Sequence, residues 1–118
     1  MRQVAAHRSN FRVASSDATG EDRAPRVVWN DTTRQYLVVW EDGRSLPTRG
    51  TDIYGQRLSG AGERIGPDFQ VSGPGATADE SDPALAWDDT ANRYFVVYQD
   101  GRNSATRGTD TYGQRLAG

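Results

Sequence analysis

Two apolar segments of the same form dominate the hydrophobic pattern of this sequence. They are Tyr36–Trp40, which reads YLVVW, and Tyr94–Tyr98, which reads YFVVY. A strand with one solvated face would alternate apolar and polar residues, whereas here side chains of both parities are apolar. The pattern therefore predicts central strands that are covered on both faces, in small sheets stacked face to face.

A shorter apolar segment precedes each of these strands, Val27–Trp29 in the first case and Leu85–Trp87 in the second. The residues between the two segments are polar turn formers, so each pair is predicted to form an antiparallel hairpin. Asp31 and Asp89 lie in these turns and are expected to cap them through their carboxylates. A calcium site built from the same oxygens is the alternative.

The hairpin belongs to a longer repeat, since Arg26–Arg44 returns 58 residues later as Ala84–Arg102. The alignment runs without a gap from Phe11 and Phe69 to the C-terminus, and about half of the aligned pairs are identical. A period of this size is typical of solenoids, propellers and arrays. The chain is therefore predicted to be one domain of two units, with repeat 1 at about residues 3–60 and repeat 2 at about 61–118.

Each unit is predicted to contain four strands, labelled A to D. Apolar content falls from strands B and A through C to D, which indicates a blade with A innermost and D outermost. The predicted strands are A (Arg26–Trp29, Ala84–Trp87), B (Gln35–Glu41, Arg93–Gln99), C (Asp52–Leu58, Asp110–Leu116) and D (Phe11–Ala14, Phe69–Ser72).

The repeated pattern W-[ND]-D-T-x(3)-Y-[LF]-V-V-[WY]-x-D-G-R, followed by G-T-D-x-Y-G-Q-R-L, covers most of both units. It resembles the repeats of predicted β-propellers in large bacterial, often secreted, proteins. The resemblance extends over residues 11 to 118, and it implies a propeller fold and an extracellular location without a defined activity.

The strand count predicts how such a chain would close. The sequence begins with a D strand that lacks its own A, B and C, and it ends with A, B and C that lack a D. Two blades cannot close on themselves, so we expect a homo-oligomeric ring in which Phe11–Ala14 of one subunit pairs with Tyr112–Leu116 of the next. Three subunits with six blades are favoured, and four subunits with eight are the alternative. The assembly residues are predicted to be Phe11, Val13, Tyr112 and Leu116.

Candidate ligand residues lie in the long loops between strands B and C and at the first residue of each strand C. They are Arg44, Arg49, Asp52, Arg102, Arg107 and Asp110. The favoured interpretation is that the arginines pair with nearby carboxylates such as Asp42 and stabilise the turn. The alternative is an arginine rim that binds carboxylated or sugar ligands through bidentate hydrogen bonds. Trp29, Trp40 and Trp87 are expected to pack in the core rather than to stack on sugars.

Composition disfavours several classes of function. The chain has no cysteine, and its one histidine, His7, lies outside the clear repeat, so a catalytic triad, a metal site and a cofactor are not expected. A net charge of −2 does not favour a nucleic-acid or membrane partner. Met1–Asn10 lacks the apolar stretch of a signal peptide, so the expected location is cytoplasmic, or extracellular if these residues derive from a longer secreted chain.

Three functions follow, in decreasing order of preference. The first is a non-catalytic, self-assembling propeller that serves as a scaffold or interaction module. The second is a multivalent, lectin-like glycan binder. The third is a glycosidase that uses paired carboxylates such as Glu41 and Asp42, although the second repeat has Gln99 in place of Glu41.

Overall fold

Two antiparallel sheets make up the part of the chain that the computed structural model describes, which is residues 10–15, 20–44, 50–73, 78–102 and 108–118. These ranges contain no helix, and hence none that could cross a membrane. Sheet 1 consists, in order, of β1 (Asp22–Asn30), β2 (Gln35–Asp42), β3 (Asp52–Ser59) and β4 (Arg64–Gln70). Sheet 2 consists of β5 (Glu80–Asp88), β6 (Arg93–Asp100) and β7 (Asp110–Ala117). The prediction of an all-β chain is confirmed.

The A strands are longer than predicted, because β1 and β5 each continue beyond a bulge. In β1 the register with β2 shifts between Arg23 and Arg26, and β5 shifts at the equivalent place. Ala24 and its equivalent Asp82 adopt positive φ angles of 53° and 52° there. The residue that follows each of them is a proline, which has no N–H for the ladder, so the bulge keeps the strand paired around a residue that cannot donate.

The outer strand of sheet 1 begins earlier than predicted, at Arg64 instead of Phe69. The reason is the tight turn after β3, in which the Ser59 N–H donates to the Glu63 carbonyl at 2.7 Å. This turn brings Arg64 opposite Leu58, so pairing begins immediately. The predicted position of the strand, next to β3 in the same sheet, is correct.

The prediction that Phe11–Ala14 forms a strand is wrong for the single chain, because this segment lies outside every strand. It is held instead beside β4, where Arg64 Nη1 donates to the Ala14 carbonyl at 3.1 Å and the Ser15 N–H donates to Asp68 at 2.7 Å. A strand needs a neighbour with a free edge. The outer edge of β3 is already occupied by β4, so no C strand of sheet 1 is available to pair with this segment.

The two sheets stack with a different face of each in contact. We name the faces by equivalent positions on β2 and β6, the two B strands. The front face carries Leu37, Val39 and Glu41 in sheet 1 and Phe95, Val97 and Gln99 in sheet 2, and the back face carries Tyr36, Val38 and Trp40 in sheet 1 and Tyr94, Val96 and Tyr98 in sheet 2. The front of sheet 1 packs on the back of sheet 2, so that Leu37, Val39, Tyr94 and Val96 are fully buried in one core. Among the described residues, no other sheet packs on the front of sheet 2 or on the back of sheet 1.

Candidate assembly site

The outer edge of β7 is the most distinctive feature of sheet 2. Strand β7 pairs with β6 along its whole length, from Ala117 opposite Arg93 to Asp110 opposite Asp100. In the described part of the chain no strand pairs with its other edge, which we call the β7 edge. The equivalent edge in sheet 1 belongs to β3 and carries β4. An unpaired edge of this kind presents backbone donors and acceptors to any strand that can reach it.

Gly55 on β3 shows how the edge of a C strand accommodates an outer strand. A Cβ atom added to Gly55 would lie only 3.1 Å from the ring of Phe69 and 3.2 Å from the side chain of Val71. The ring of Phe69 therefore occupies the space that a side chain at Gly55 would need. Its equivalent on β7 is Gly113, which is exposed, and a Cβ atom there would meet only Val97 and Val96, at ordinary distances of 3.5 and 3.6 Å.

Backbone hydrogen bonds continue the pairing beyond the end of β4. The Val71 N–H donates to the carbonyl of Ile53 at 2.7 Å, and the N–H of Ile53 donates to the hydroxyl of Ser72 at 3.2 Å. On β7 the residue equivalent to Ile53 is Thr111, which is exposed. The β7 edge therefore offers the carbonyl at Thr111 where β3 uses that of Ile53.

Arg44 joins the end of β2 to the outer strand. Its guanidinium lies 2.8 Å from Asp42, 2.9 Å from Asp68 and 3.8 Å from the centroid of the Tyr54 ring. Burial alone would raise the pKa of Asp42, but hydrogen bonds from Arg44 and Trp40 outweigh it and hold that pKa below its ordinary value. The hydrogen bond to Asp42 raises the pKa of Arg44 further. This arrangement agrees with the turn-stabilising interpretation of Arg44.

Arg102 repeats the arrangement in sheet 2 without the outer strand. It pairs with Asp100 at 2.7 Å and lies 3.9 Å from the centroid of the Tyr112 ring. The position equivalent to Asp68 is Asn10, which is exposed and immediately precedes Phe11–Ala14, the segment predicted to be donated to another subunit. The side chain of Arg102 is 34% exposed, against 19% for Arg44. One side of the Arg102 site therefore lacks the strand that supplies Asp68 in sheet 1.

The other predicted ligand residues do not converge on one site. Asp52 and Glu80 are both buried, and burial, followed by the neighbouring Asp52 carboxyl, raises the pKa of Glu80 to about 8. Asp110 is half-buried at the start of β7. Arg49 and Arg107 lie outside the residues that the structure describes.

The turn caps differ from the prediction by one residue. Asn30 Oδ1 accepts from the N–H groups of Thr32 and Thr33 at 3.0 Å, and Asp88 plays the same part in the second hairpin. Asp31 instead accepts a hydrogen bond of 3.1 Å from the indole N–H of Trp87. Among the residues in the structure, no group of carboxylates and histidines is arranged to hold a metal ion.

The predicted assembly residues divide into two groups. Tyr112 and Leu116 pack against the core and so flank the β7 edge, while Phe11 is exposed and Val13 half-buried in the N-terminal segment. Sequence reasoning missed Gly113 and Thr111, the two exposed positions that correspond to the contacts of β3 with β4. Their alignment with Gly55 and Ile53 was the available signal.

Comparison with known proteins finds no match among family models, curated proteins or solved structures.

Proposed function

We propose that this protein is a non-catalytic, self-assembling β-propeller module, in which residues 10–14 of one copy complete sheet 2 of another. The supporting observation is the internal comparison of two equivalent edges. The β3 edge carries a strand that ends in Phe69, Gln70 and Val71, and the β7 edge carries none. Phe11 and Val13 lie 58 residues before Phe69 and Val71 and repeat that Phe-x-Val element.

The equivalence defines the register of the donated segment. In the proposed assembly the ring of Phe11 takes the position over Gly113 that the ring of Phe69 holds over Gly55. The N–H of Val13 donates to the carbonyl of Thr111, as that of Val71 donates to Ile53. The side-chain oxygen of Asn10 takes the place of Asp68 as an acceptor for Arg102. Ala14 has no hydroxyl to replace Ser72, so this one contact is lost.

The segment to be donated, residues 10–14, already lies beside the back face of its own sheet 1. Arg12, Val13 and Ala14 line a cavity of about 200 Å³ together with Val38 and Trp40 of the back face. In the second repeat, Val71 belongs to the same core cluster as Val96 and Tyr98, which are the equivalents of Val38 and Trp40. The segment is therefore placed as an outer strand would be, and only the neighbouring C strand has to come from another copy.

The proposed assembly is a closed ring, in which each copy donates one strand and receives one. Such a contact is heterologous, and cyclic closure covers the β7 edge of every copy. Three copies give six blades and four give eight, both within the usual range of four to eight. We favour the trimer.

The test is the mass in solution of matched glycine variants. We expect sedimentation equilibrium to give the wild type three or four times the 13.0 kDa mass of the chain. Gly113→Val blocks the space for Phe11 and should yield a folded monomer, because the added side chain meets only ordinary contacts within its own chain. Gly73→Val is the control, since a Cβ atom there meets nothing within 4 Å, and it should assemble normally.

A second variant tests the donor side. Val13→Pro removes the N–H that is proposed to bond Thr111, and it should also give a monomer with the circular dichroism of the wild type. A monodisperse wild-type monomer, or full assembly of both Gly113→Val and Val13→Pro, would overturn the proposal.

A further inference from the structure

The front face of sheet 2 is apolar and uncovered. Phe95 and Val97 are 38% and 41% exposed, whereas their equivalents Leu37 and Val39 are fully buried against the back of sheet 2. Ala84 and Ala86 of β5 lie beside them and are also exposed. The same kind of surface that forms the core between the two sheets therefore occurs a second time, without a sheet against it.

The back face of sheet 1 is the complementary surface. Val27 is 60% exposed, Tyr36 and Val38 are half-buried, and Trp40, next to the N-terminal segment, is buried. In sheet 2 the equivalents of Tyr36 and Val38 are Tyr94 and Val96, which are fully buried by the front of sheet 1. The front of sheet 2 is thus equivalent to the front of sheet 1, and the back of sheet 1 is equivalent to the back of sheet 2. These equivalents are the two sides of the interface within the chain.

We propose that the front of sheet 2 docks onto the back of sheet 1 of a second copy, in the geometry that sheet 1 and sheet 2 adopt within one chain. This inference rests on the proposed assembly and identifies its second, larger contact surface. The docking partner is a second copy of this chain. When each residue of the internal interface is replaced by its equivalent in the other repeat, the result is the proposed interface between copies. The copy that is docked upon also donates the strand. Within the chain, sheet 1 receives Phe69–Val71 and packs its front on the back of sheet 2. Between copies, sheet 2 receives the equivalent strand from the molecule on which its front docks.

Polar contacts across the internal interface support the docking, because their repeat equivalents keep compatible chemistry. Asn30 Nδ2 donates to the Tyr94 hydroxyl at 3.1 Å. The equivalent pair is Asp88 with Tyr36 of the second copy, in which the hydroxyl donates to the carboxylate instead. Donor and acceptor exchange roles, and the hydrogen bond is retained.

The indole contact is retained without change. Trp87 Nε1 donates to Asp31 at 3.1 Å across the internal interface. Its equivalent joins Trp29 of the second copy to Asp89, with identical residue types on both sides.

Two further contacts reach backbone groups, so they depend on only one side chain each. Glu41 accepts from the N–H of Asp82 at 2.8 Å, at the bulge of β5. The equivalent acceptor is Gln99, and the equivalent N–H belongs to Ala24, which has the same positive φ. Gln99 retains an acceptor oxygen, although a carboxylate is replaced by an amide.

A further contact is made by an arginine that occurs in both repeats. Arg57 Nη2 donates to the Ala117 carbonyl at 2.8 Å. Its equivalent is Arg115, which is exposed and would donate to the carbonyl of Ser59 of the second copy. Each of these four internal contacts therefore has a competent equivalent between copies.

The docking can be tested with paired cysteines, because the chain has none of its own. Within one chain Thr51 and Asp79 bridge the sheets, with the Thr51 N–H 3.0 Å and its hydroxyl 3.5 Å from the Asp79 carboxylate. Thr51→Cys with Asp79→Cys is the control pair and should form a disulfide within each chain. Thr109→Cys with Glu21→Cys is the equivalent pair, and it should link chains to one another.

A third pair separates this inference from the proposed strand exchange. Ala14→Cys with Thr111→Cys reports the donated strand, because the equivalent residues Ser72 and Ile53 are hydrogen-bonded at 3.2 Å. On a non-reducing denaturing gel of oxidised protein, we expect both intermolecular pairs to give covalent trimers or tetramers. Links through Ala14 and Thr111 alone would support strand exchange and overturn the docking. Links through Glu21 and Thr109 alone would support the docking and overturn strand exchange, and the absence of both would overturn both.

Discussion

Asn30 and Tyr94 are joined by a hydrogen bond of 3.1 Å across the boundary between the two sheets, and both residues are fully buried. The amide of Asn30 also caps its own turn, since its oxygen accepts from the N–H groups of Thr32 and Thr33. One side chain thus fixes the hairpin of sheet 1 and connects it to sheet 2.

Removing the Tyr94 hydroxyl should destabilise the chain. Tyr94→Phe leaves the buried amide N–H of Asn30 without this acceptor, which costs about 1–3 kcal/mol of unfolding free energy. Tyr36→Phe changes the equivalent half-buried residue and should cost less. Both are measured by urea denaturation in the Gly113→Val background, so that assembly does not contribute. Equal losses for the two variants would contradict the assigned role of Tyr94.

A carboxylate placed on the front face should have different effects in the two sheets. Val39 is fully buried, so Val39→Asp should cost roughly 4 kcal/mol or more and unfold much of the protein. Val97→Asp affects the exposed equivalent and should leave the chain folded while preventing assembly. Circular dichroism and light scattering measure the two outcomes. A Val97→Asp variant that assembles like the wild type would argue against docking through this face.

The two β-sheet glycines should respond differently to the same substitution. Gly55→Val forces a side chain against Phe69 and Val71 and should cost about 1–3 kcal/mol. Gly113→Val has no such conflict within its own chain, so its unassembled form should unfold at nearly the wild-type temperature. Thermal denaturation at low protein concentration compares them, and a larger loss for Gly113→Val would be inconsistent with an empty space beside β7.

The two loop arginines should tolerate lysine unequally. Arg44 binds two carboxylates, those of Asp42 and Asp68, and lysine cannot reproduce this planar arrangement. Arg44→Lys should therefore cost about 1–3 kcal/mol. Arg102→Lys should cost less in the monomer, because Arg102 pairs with Asp100 and is more exposed. Chemical denaturation decides between this expectation and an equal loss at both sites.

Stability should fall as the pH rises from about 4.5 to about 8. Burial raises the pKa of Glu80 from 4.5 to about 8, so the folded state binds a proton that the unfolded state releases within this window. The stabilisation is complete below pH 4.5 and is lost as the pH rises through the folded pKa, by at most about 1.4 kcal/mol per pH unit. Asp22 acts in the same direction, since burial, followed by Asp42, raises its pKa.

The Glu80→Gln variant provides the control for this pH dependence. It should flatten the stability profile between pH 4.5 and 8 and leave the acid side unchanged. On the acid side, Asp42, Asp68 and Asp100 have lowered pKa values, so their contribution is lost as the pH falls below about 3.8. Urea denaturation at pH 5 and pH 8 measures the difference, and an unchanged slope in Glu80→Gln would show that other groups are responsible.

Much of the local architecture could be predicted because it depends on residues near one another in the sequence. The continuous apolar segments and the polar turns between them predicted the hairpins of β1 with β2 and β5 with β6. The period of 58 residues predicted that the second sheet has one strand fewer than the first. Phe11–Ala14 resembles Phe69–Ser72 in sequence but is not a strand in the single chain, because a strand also needs a partner edge.

What the sequence by itself determined is the seven observed strands, their order and the smaller number of strands in sheet 2, since turns and apolar segments specify these locally. Only the tertiary structure decided that Leu37 and Val39 are covered while the equivalent Phe95 and Val97 are not. Both faces of β2 and β6 are apolar, so the pattern is the same whichever face is buried. Burial depends instead on which sheet lies opposite, and that is a property of long-range packing.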